Sequence, residues 1–111
     1  MAKGIVAAEL PSLEVQFTAY AKYRPAQNTL QGDGKRILLS QSDAWMQQAK
    51  LMEKKVFTLT ETGVAFFSFR KSTLDFEEFE QYLDKLCAER GLDVDEIRFC
   101  LVSCGPPGMG S

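Results

Sequence analysis

The residues that could bind a metal ion are concentrated between Phe69 and Leu83, in the stretch FRKSTLDFEEFEQYL. An EF-hand calcium loop supplies oxygen ligands at positions 1, 3, 5, 7, 9 and 12, and an apolar residue usually occupies position 8. When Leu74 is placed at position 8, Glu78 takes position 12 and the exit helix begins beside it. Only the four residues RKST separate Phe69 from Leu74, and two of them are cationic. The stretch is therefore typical of an EF-hand that has kept its helices and lost its calcium ligands.

Catalytic chemistry has little support in this chain. There is no His in the sequence, so neither a Ser-His nor a Cys-His nucleophile can form. Glu77 and Glu78 are adjacent and would point about 100° apart on a helix, so they cannot flank one bond as paired catalytic carboxylates do. Gly32 and Gly34 are not followed by the Gly-Lys-Ser/Thr of a phosphate loop. We therefore expect a protein that is not an enzyme and that carries no cofactor and no metal.

The three cysteines, Cys87, Cys100 and Cys104, lie in the last quarter of the chain and include no CxxC pair. An odd number in this arrangement argues against a disulfide framework and favours a reducing, cytoplasmic compartment. We expect the cysteines to pack as small apolar residues on helix faces. Cys104, beside the Gly/Pro-rich end of the chain, is expected to be the most exposed of the three.

Apolar residues at helical spacing predict about five helices that position these groups. Trp45, on the second of them, is expected to be a core anchor. The third contains Val64, Phe66, Phe67 and Phe69, which must be deeply buried or must present an aromatic surface to a partner. The residues expected to begin or end the helices are Ser12 and Pro25 for the first, Ser40 or Ser42 and Lys54–Lys55 for the second, Thr60–Gly63 for the third, Asp75 with Glu78 and Gly91 for the fourth, and Asp93 with Glu96 for the fifth.

Short apolar runs predict the strands. Ile37–Leu39 and Leu74 each precede a helix, as the paired loop strands of an EF-hand pair do, and Val56–Thr60 alternates as a short extended segment would. The predicted fold class is mainly α: an EF-hand-like domain of about five helices with two very short paired strands and degenerate, non-calcium loops. We expect it to span residues 10–104, between a flexible leader (1–9) and a flexible tail (105–111). No apolar run approaches the roughly 18 residues that span a bilayer, so no membrane partner is expected.

Charge is unevenly distributed along the chain. Residues 1–74 hold ten Lys/Arg and six Asp/Glu, a net +4, whereas residues 75–111 hold three and nine, a net −6; the sum is −2. The cations around the second helix end and the shortened loop are expected to form a docking patch for an acidic partner. The alternative is that they are scattered solubilising charges. The candidate partner-binding residues are Lys35, Arg36, Lys50, Lys54, Lys55, Phe66, Phe67, Arg70 and Lys71.

Five blocks of this sequence, taken in order, resemble the p25-alpha domain of the tubulin polymerization-promoting protein (TPPP) family. They are LEVQFTAYAKY, ILLSQSDAWMQQAKLM, FTLTETGVAFFSFRK, TLDFEEFEQYLDKL and GLDVDEIRFCLVSCGPP. The resemblance runs from about Leu13 to Pro107. It implies an EF-hand-like core that binds tubulin and promotes microtubule assembly or bundling, with a cytoskeletal location that in many organisms includes cilia or flagella. Longer relatives are basic and carry extra terminal segments, whereas this chain has a sequence pI of about 5.1.

Two functions from different classes follow. The first is a microtubule-binding protein, with tubulin as the partner. The second is a calcium-independent EF-hand-like adaptor, which binds a helical peptide in an aromatic groove near Phe66, Phe67 and Phe69. Nucleic acid is not an expected partner, because the sequence lacks an interleaved aromatic and basic recognition surface. Nothing in the sequence indicates an oligomeric state.

Overall fold

Five helices and four two-residue strands make up the described part of the protein, residues 10–24, 29–30 and 33–107 of a computed structural model. In chain order they are α1 (Leu13–Lys22), β1 (Tyr23–Arg24), β2 (Thr29–Leu30), β3 (Ile37–Leu38), α2 (Leu39–Gln48), α3 (Leu59–Phe67), β4 (Thr73–Leu74), α4 (Phe76–Arg90) and α5 (Val94–Ser103). The predicted mainly α class is confirmed. In the described ranges, no helix combines the length and the apolar character that crossing a bilayer requires.

Side-chain caps fix where most helices begin. Ser12 accepts a hydrogen bond from the Val15 N–H at 3.1 Å, and the Asp93 side chain accepts one from the Asp95 N–H at 2.9 Å. Asp75 and Glu78 form the predicted capping box, with distances of 2.8 and 3.0 Å. These bonds satisfy N–H groups that have no partner inside the first turn of a helix. The caps predicted at Ser12, Asp75 and Asp93 are therefore confirmed.

The second helix departs from its predicted bounds at both ends. It begins at Leu39, and the Gln41 side chain rather than Ser40 or Ser42 caps it by accepting from the Leu38 N–H at 2.7 Å. It ends at Gln48 instead of continuing to Lys54–Lys55, because Lys50 adopts a left-handed backbone conformation with φ 67°. Such a residue turns the chain out of the helix.

The expectation of an extended segment at Val56–Thr60 is wrong. Thr58 accepts from the Glu61 N–H at 3.1 Å, and the Glu61 carboxylate accepts from the Thr58 N–H at 3.0 Å. This capping box starts α3 at Leu59, one residue before the predicted start. The helix ends at Phe67, so Phe69 lies beyond it.

The predicted pair of short strands is present as β3 and β4, which run antiparallel with Ile37 opposite Leu74 and Leu38 opposite Thr73. A second antiparallel pair, β1 with β2, was not predicted. It places Arg24 in a strand instead of on the last turn of α1. Pro25, which was expected to end α1, lies outside the described residues.

An aromatic stack at the centre of the core joins three helices. Trp45 of α2 stacks on Tyr20 of α1 and on Phe79 of α4, with ring centroids 4.9 and 5.1 Å apart and interplanar angles of 7° in both cases. The Trp45 indole N–H donates to the Leu101 carbonyl of α5 at 2.9 Å. Trp45 is fully buried, so its expected role as a core anchor is confirmed.

Candidate functional site

The shortened loop brings two cations onto the carboxylate that would be calcium ligand 12. Glu78 lies in the first turn of α4, and Lys71 Nζ contacts its Oε2 while Arg36 Nη2 lies 3.4 Å from its Oε1. Arg36 also donates to the hydroxyl of Thr73 at 2.7 Å and to the Thr73 carbonyl at 2.9 Å. The β3–β4 register sets this arrangement, because it places Arg36 beside the strand that contains Thr73. Side-chain cations from both loops thus surround the position 12 carboxylate.

This environment keeps Glu78 ionised. The hydrogen bond from Lys71 and the one from the Asp75 N–H, in that order, hold the pKa of Glu78 below its usual range. Charge-assisted hydrogen bonds of this kind favour the charged form of a carboxylate. Within the ranges that the structure describes, no three Cys, Asp, Glu or His side chains are arranged to hold a metal ion. Glu78 is therefore a structural carboxylate that ties the two loops together.

The nine candidate partner-binding residues separate into groups. Arg36 and Lys71 converge on Glu78, and Lys50 lies 3.7 Å from Glu53. The remaining cations are exposed and have no carboxylate partner in the part of the chain that the structure describes; they are Lys35, Lys54, Lys55 and Arg70. Among the seven cations, the described contacts bring Arg36 and Lys71 together, through the shared carboxylate of Glu78.

The two candidate aromatic residues of α3 differ in exposure, although their rings contact each other edge-to-face with centroids 5.9 Å apart. Phe66 is fully buried and packs edge-to-face on Tyr82, with ring centroids 5.5 Å apart. Phe67 is exposed on the outer side of the helix. Phe66 therefore belongs to the core, and only Phe67 of this pair is accessible to a partner.

Sequence reasoning missed two further exposed apolar residues on α3. Leu59 and Val64 lie on the same side as Phe67, and the three together leave an apolar outer side on a surface helix. We call Leu59, Thr60, Gly63, Val64 and Phe67 the α3 outer face. The signal in the sequence was that apolar residues occur on more than one face of the predicted helix, as the three closely spaced Phe residues partly indicate.

Cys87 and Cys104 are shielded from solvent, fully or in part, and burial raises the pKa of each. Cys87 is buried, and burial, followed by the charges of Asp84 and Asp93, raises its pKa to about 11. Cys104 is half-buried rather than exposed as expected, because the chain end is held against α1. Gln16 and Tyr20 both donate to the Gly105 carbonyl, at 2.9 and 3.2 Å.

A buried polar cluster lies between α2, α3 and α4. Ser42, Thr62 and Tyr82 are fully buried, and Asp43 lies beside them half-buried. Burial raises the pKa of Asp43, and a hydrogen bond from Thr62 opposes this shift. Burial is also the main reason that the pKa of Tyr82 is raised. The cluster therefore favours a protonated Tyr82 and disfavours the charged form of Asp43.

The fold and the contacts of Glu78 define an EF-hand-like helical protein. In it, the cations of Arg36 and Lys71 contact the carboxylate at loop position 12, where a calcium-binding loop would hold its ion. Comparison with protein families then gives the family: the model described as p25-alpha matches residues 14–111. This match covers nearly the whole chain, and the protein belongs to the p25-alpha family. A comparison with curated proteins finds no match.

Proposed function

We propose that this protein binds tubulin and promotes microtubule assembly or bundling. The observation that carries the proposal is membership of the p25-alpha family over residues 14–111, since the TPPP relatives that the sequence resembles act on tubulin. We further propose that the role is one of binding rather than catalysis. The proposed location is cytoplasmic and cytoskeletal, including cilia or flagella. No membrane or nucleic-acid partner is part of this proposal.

The distribution of charge supports an acidic partner. Lys54, Lys55 and Arg70 are exposed, and within the described residues no carboxylate neutralises them. Exposed cations of this kind raise the rate of encounter with an acidic surface, and salt screens their effect. Binding to a microtubule should therefore be fast and should weaken as ionic strength increases.

Co-sedimentation with stabilised microtubules tests the proposal. We expect the protein to pellet with the polymer at low ionic strength and to be released progressively by salt. A triple variant, Lys54→Gln with Lys55→Gln and Arg70→Gln, should bind more weakly and show a smaller dependence on salt. Lys85→Gln is the matched control, because this lysine of α4 is also exposed but lies 3.8 Å from Glu89. Absence of co-sedimentation at low ionic strength would show that the proposed function is wrong.

The alternative adaptor function has weaker support than the sequence suggested. The sequence predicts an aromatic groove near Phe66, Phe67 and Phe69. Phe66 is enclosed in the core, so it cannot line such a groove. Capture of a helical peptide that persists in high salt, by a protein that does not pellet with microtubules, would favour an adaptor over a microtubule protein.

A further inference from the structure

Helix α3 has an apolar side that no other described element covers. Its inner side, with Thr62, Ala65 and Phe66, is buried in the protein. On the outer face, Leu59 and Phe67 are each 57% exposed and Val64 is 65% exposed. A surface helix ordinarily turns polar residues to water, and a contiguous exposed apolar face marks an interaction site.

Gly63 stands in the middle of this face without a structural reason to be glycine. A Cβ added at Gly63 would meet nothing within 4 Å, and its φ is not in the left-handed region. Glycine lowers the stability of a helix interior relative to alanine. Because Gly63 lies one turn from Leu59 and one turn from Phe67, the missing side chain leaves a notch between them. Such a notch allows another helix or side chain to approach the α3 backbone closely.

Exposed cations lie before and after α3 along the chain. Lys54 and Lys55 precede α3, and Arg70 follows it; all three are exposed and lack a carboxylate partner among residues 10–24, 29–30 and 33–107. The carboxylate of Glu61, on α3 itself, is already paired with Arg90 at 2.7 Å. The distance along the helix from Leu59 to Phe67 is about 12 Å at 1.5 Å per residue. The face is thus apolar over about two turns, and exposed cations lie three to five residues beyond its ends along the chain.

We propose that the α3 outer face, together with Lys54, Lys55 and Arg70, is the surface that contacts the microtubule, and that it takes an amphipathic helix with acidic residues at both ends. This assignment rests on the proposed function. Apolar side chains of the bound helix fill the notch at Gly63 and pack on Leu59, Val64 and Phe67. Its terminal carboxylates pair with the flanking cations, which gives the complex one orientation.

Two substitutions in the full chain test this surface. Phe67→Ala removes the largest exposed side chain of the face, and Gly63→Gln fills the notch. In co-sedimentation with stabilised microtubules, we expect each to raise the Kd at least about tenfold, as loss of a central interface residue does. Phe99→Ala is the matched control, because Phe99 is 60% exposed but lies on α5. It should change the Kd by less than about twofold, as surface positions outside a hot spot do.

Folding controls accompany these measurements. Gly63→Gln should melt at or above the temperature of the unmodified protein, because Gln favours the helix more than Gly does. A loss of binding by a variant that melts normally therefore reports on contact and not on unfolding. Equal binding by Phe67→Ala, Gly63→Gln and Phe99→Ala would overturn the assignment of the surface and leave the proposed function intact.

A second probe separates the surface from the identity of the partner. The probe is a designed helical peptide with Leu at i, i+3, i+4 and i+7 and Glu at both ends; the control peptide has Lys in place of Glu. Titration into the ¹⁵N-labelled full chain should shift amide signals of α3 for the Glu peptide only. If the protein fails to bind microtubules but shows these shifts, the proposed function fails and the surface stands. Shifts confined to other elements, or none, would overturn the surface.

Discussion

At the scale of single residues, Lys50, Lys55 and Arg70 share an unusual backbone conformation. Their φ values are 67°, 61° and 60°. Each ends a helical turn: the N–H groups of Lys50 and Leu51 donate to the carbonyls of Gln47 and Met46, the pattern of a Schellman motif, which usually has glycine at the left-handed position. The fourth helix ends in this ordinary way, at Gly91 with φ 66°. At three positions the chain therefore has a cation where glycine would be less strained.

Replacing Arg70 tests whether its left-handed backbone conformation lowers the stability of the protein. We expect Arg70→Gly to raise the free energy of unfolding by roughly 0.5–1 kcal/mol, because glycine avoids the left-handed penalty of about 1 kcal/mol while losing more chain entropy. Arg70→Ala, which removes the same charge and keeps the Cβ, should not be stabilised. Urea denaturation measures both variants. If alanine and glycine gave equal stabilities, backbone strain at position 70 would be excluded as the cause.

Glu78 gives a prediction for the dependence of stability on pH. The folded state lowers the pKa of this carboxyl, chiefly through Lys71. A lowered pKa contributes stability above the pKa of the unfolded chain, and this contribution is lost as the pH falls through the folded value. Glu78→Gln should therefore be less stable than the unmodified protein at neutral pH, and the difference should shrink on acidification. Denaturant unfolding measured from neutral to acid pH tests this.

The neighbouring residue provides the control for that experiment. Glu77 also lies in the first turn of α4, but it is exposed and no ion pair joins it to a cation in the described part of the chain. Glu77→Gln should change stability less than Glu78→Gln does at neutral pH, since a single surface charge contributes little. A Glu78→Gln difference that stayed constant over the whole pH range would show that its charge is not the stabilising feature.

At the scale of elements, glycines show how the backbone sets the effect of a substitution. Gly63 and Gly91 both have open space where a Cβ would go, but only Gly91 has a left-handed φ. Gly63→Ala should raise the free energy of unfolding by roughly 0.5–1 kcal/mol, because alanine favours the helix interior. Gly91→Ala should lower it by about 1 kcal/mol, because alanine is strained there. Thermal melts of the pair test this, and two changes of the same sign would contradict it.

The helix starts that the sequence predicts have local caps, although the equally local Thr58–Glu61 capping box of α3 was missed. Asp75 and Glu78 are three residues apart and satisfy each other's backbone N–H groups, so a short window contains all the information. The start of α2 is different. Gln41 accepts from Leu38, and it also donates to the carbonyls of Ala21 and Tyr23 at 2.9 and 2.7 Å. Its position thus depends on where α1 ends, which no local pattern of α2 can show.

The ends of the helices and the contacts of the candidate site are likewise only partly predictable from local sequence. A search for glycine finds the end of α4 at Gly91 but misses the end of α2, where Lys50 takes the left-handed conformation. The shortened loop and Glu78 could be predicted from spacing alone. The role of Arg36 could not, because its contact with Thr73 depends on the register of β3 with β4. The exposure of Leu59 and Val64 likewise depends on which side of α3 packs on the core.

At the scale of the whole molecule, hydrogen bonds connect α5 and the residues after it to α1 and α2. Gln16 of α1 donates to the Leu101 carbonyl at 3.1 Å, and Gln48 of α2 donates to the Cys104 carbonyl at 3.2 Å. Trp45 donates to Leu101 from the central aromatic stack. Because α5 and the residues after it are joined to α1 and α2 in this way, we expect the helices to unfold together.

Two buried reporters far apart in sequence test this cooperativity. Trp45 is the single Trp and reports on the aromatic stack. Cys87, near the end of α4, is buried with a pKa raised to about 11, so its thiol should react with a disulfide reagent only after unfolding. In a Cys100→Ala, Cys104→Ala variant, urea transitions followed by Trp45 fluorescence, by far-ultraviolet circular dichroism and by Cys87 labelling should coincide. Labelling of Cys87 at urea concentrations that leave the Trp45 signal unchanged would instead show that the α4–α5 end opens separately, as a local unit of lower stability.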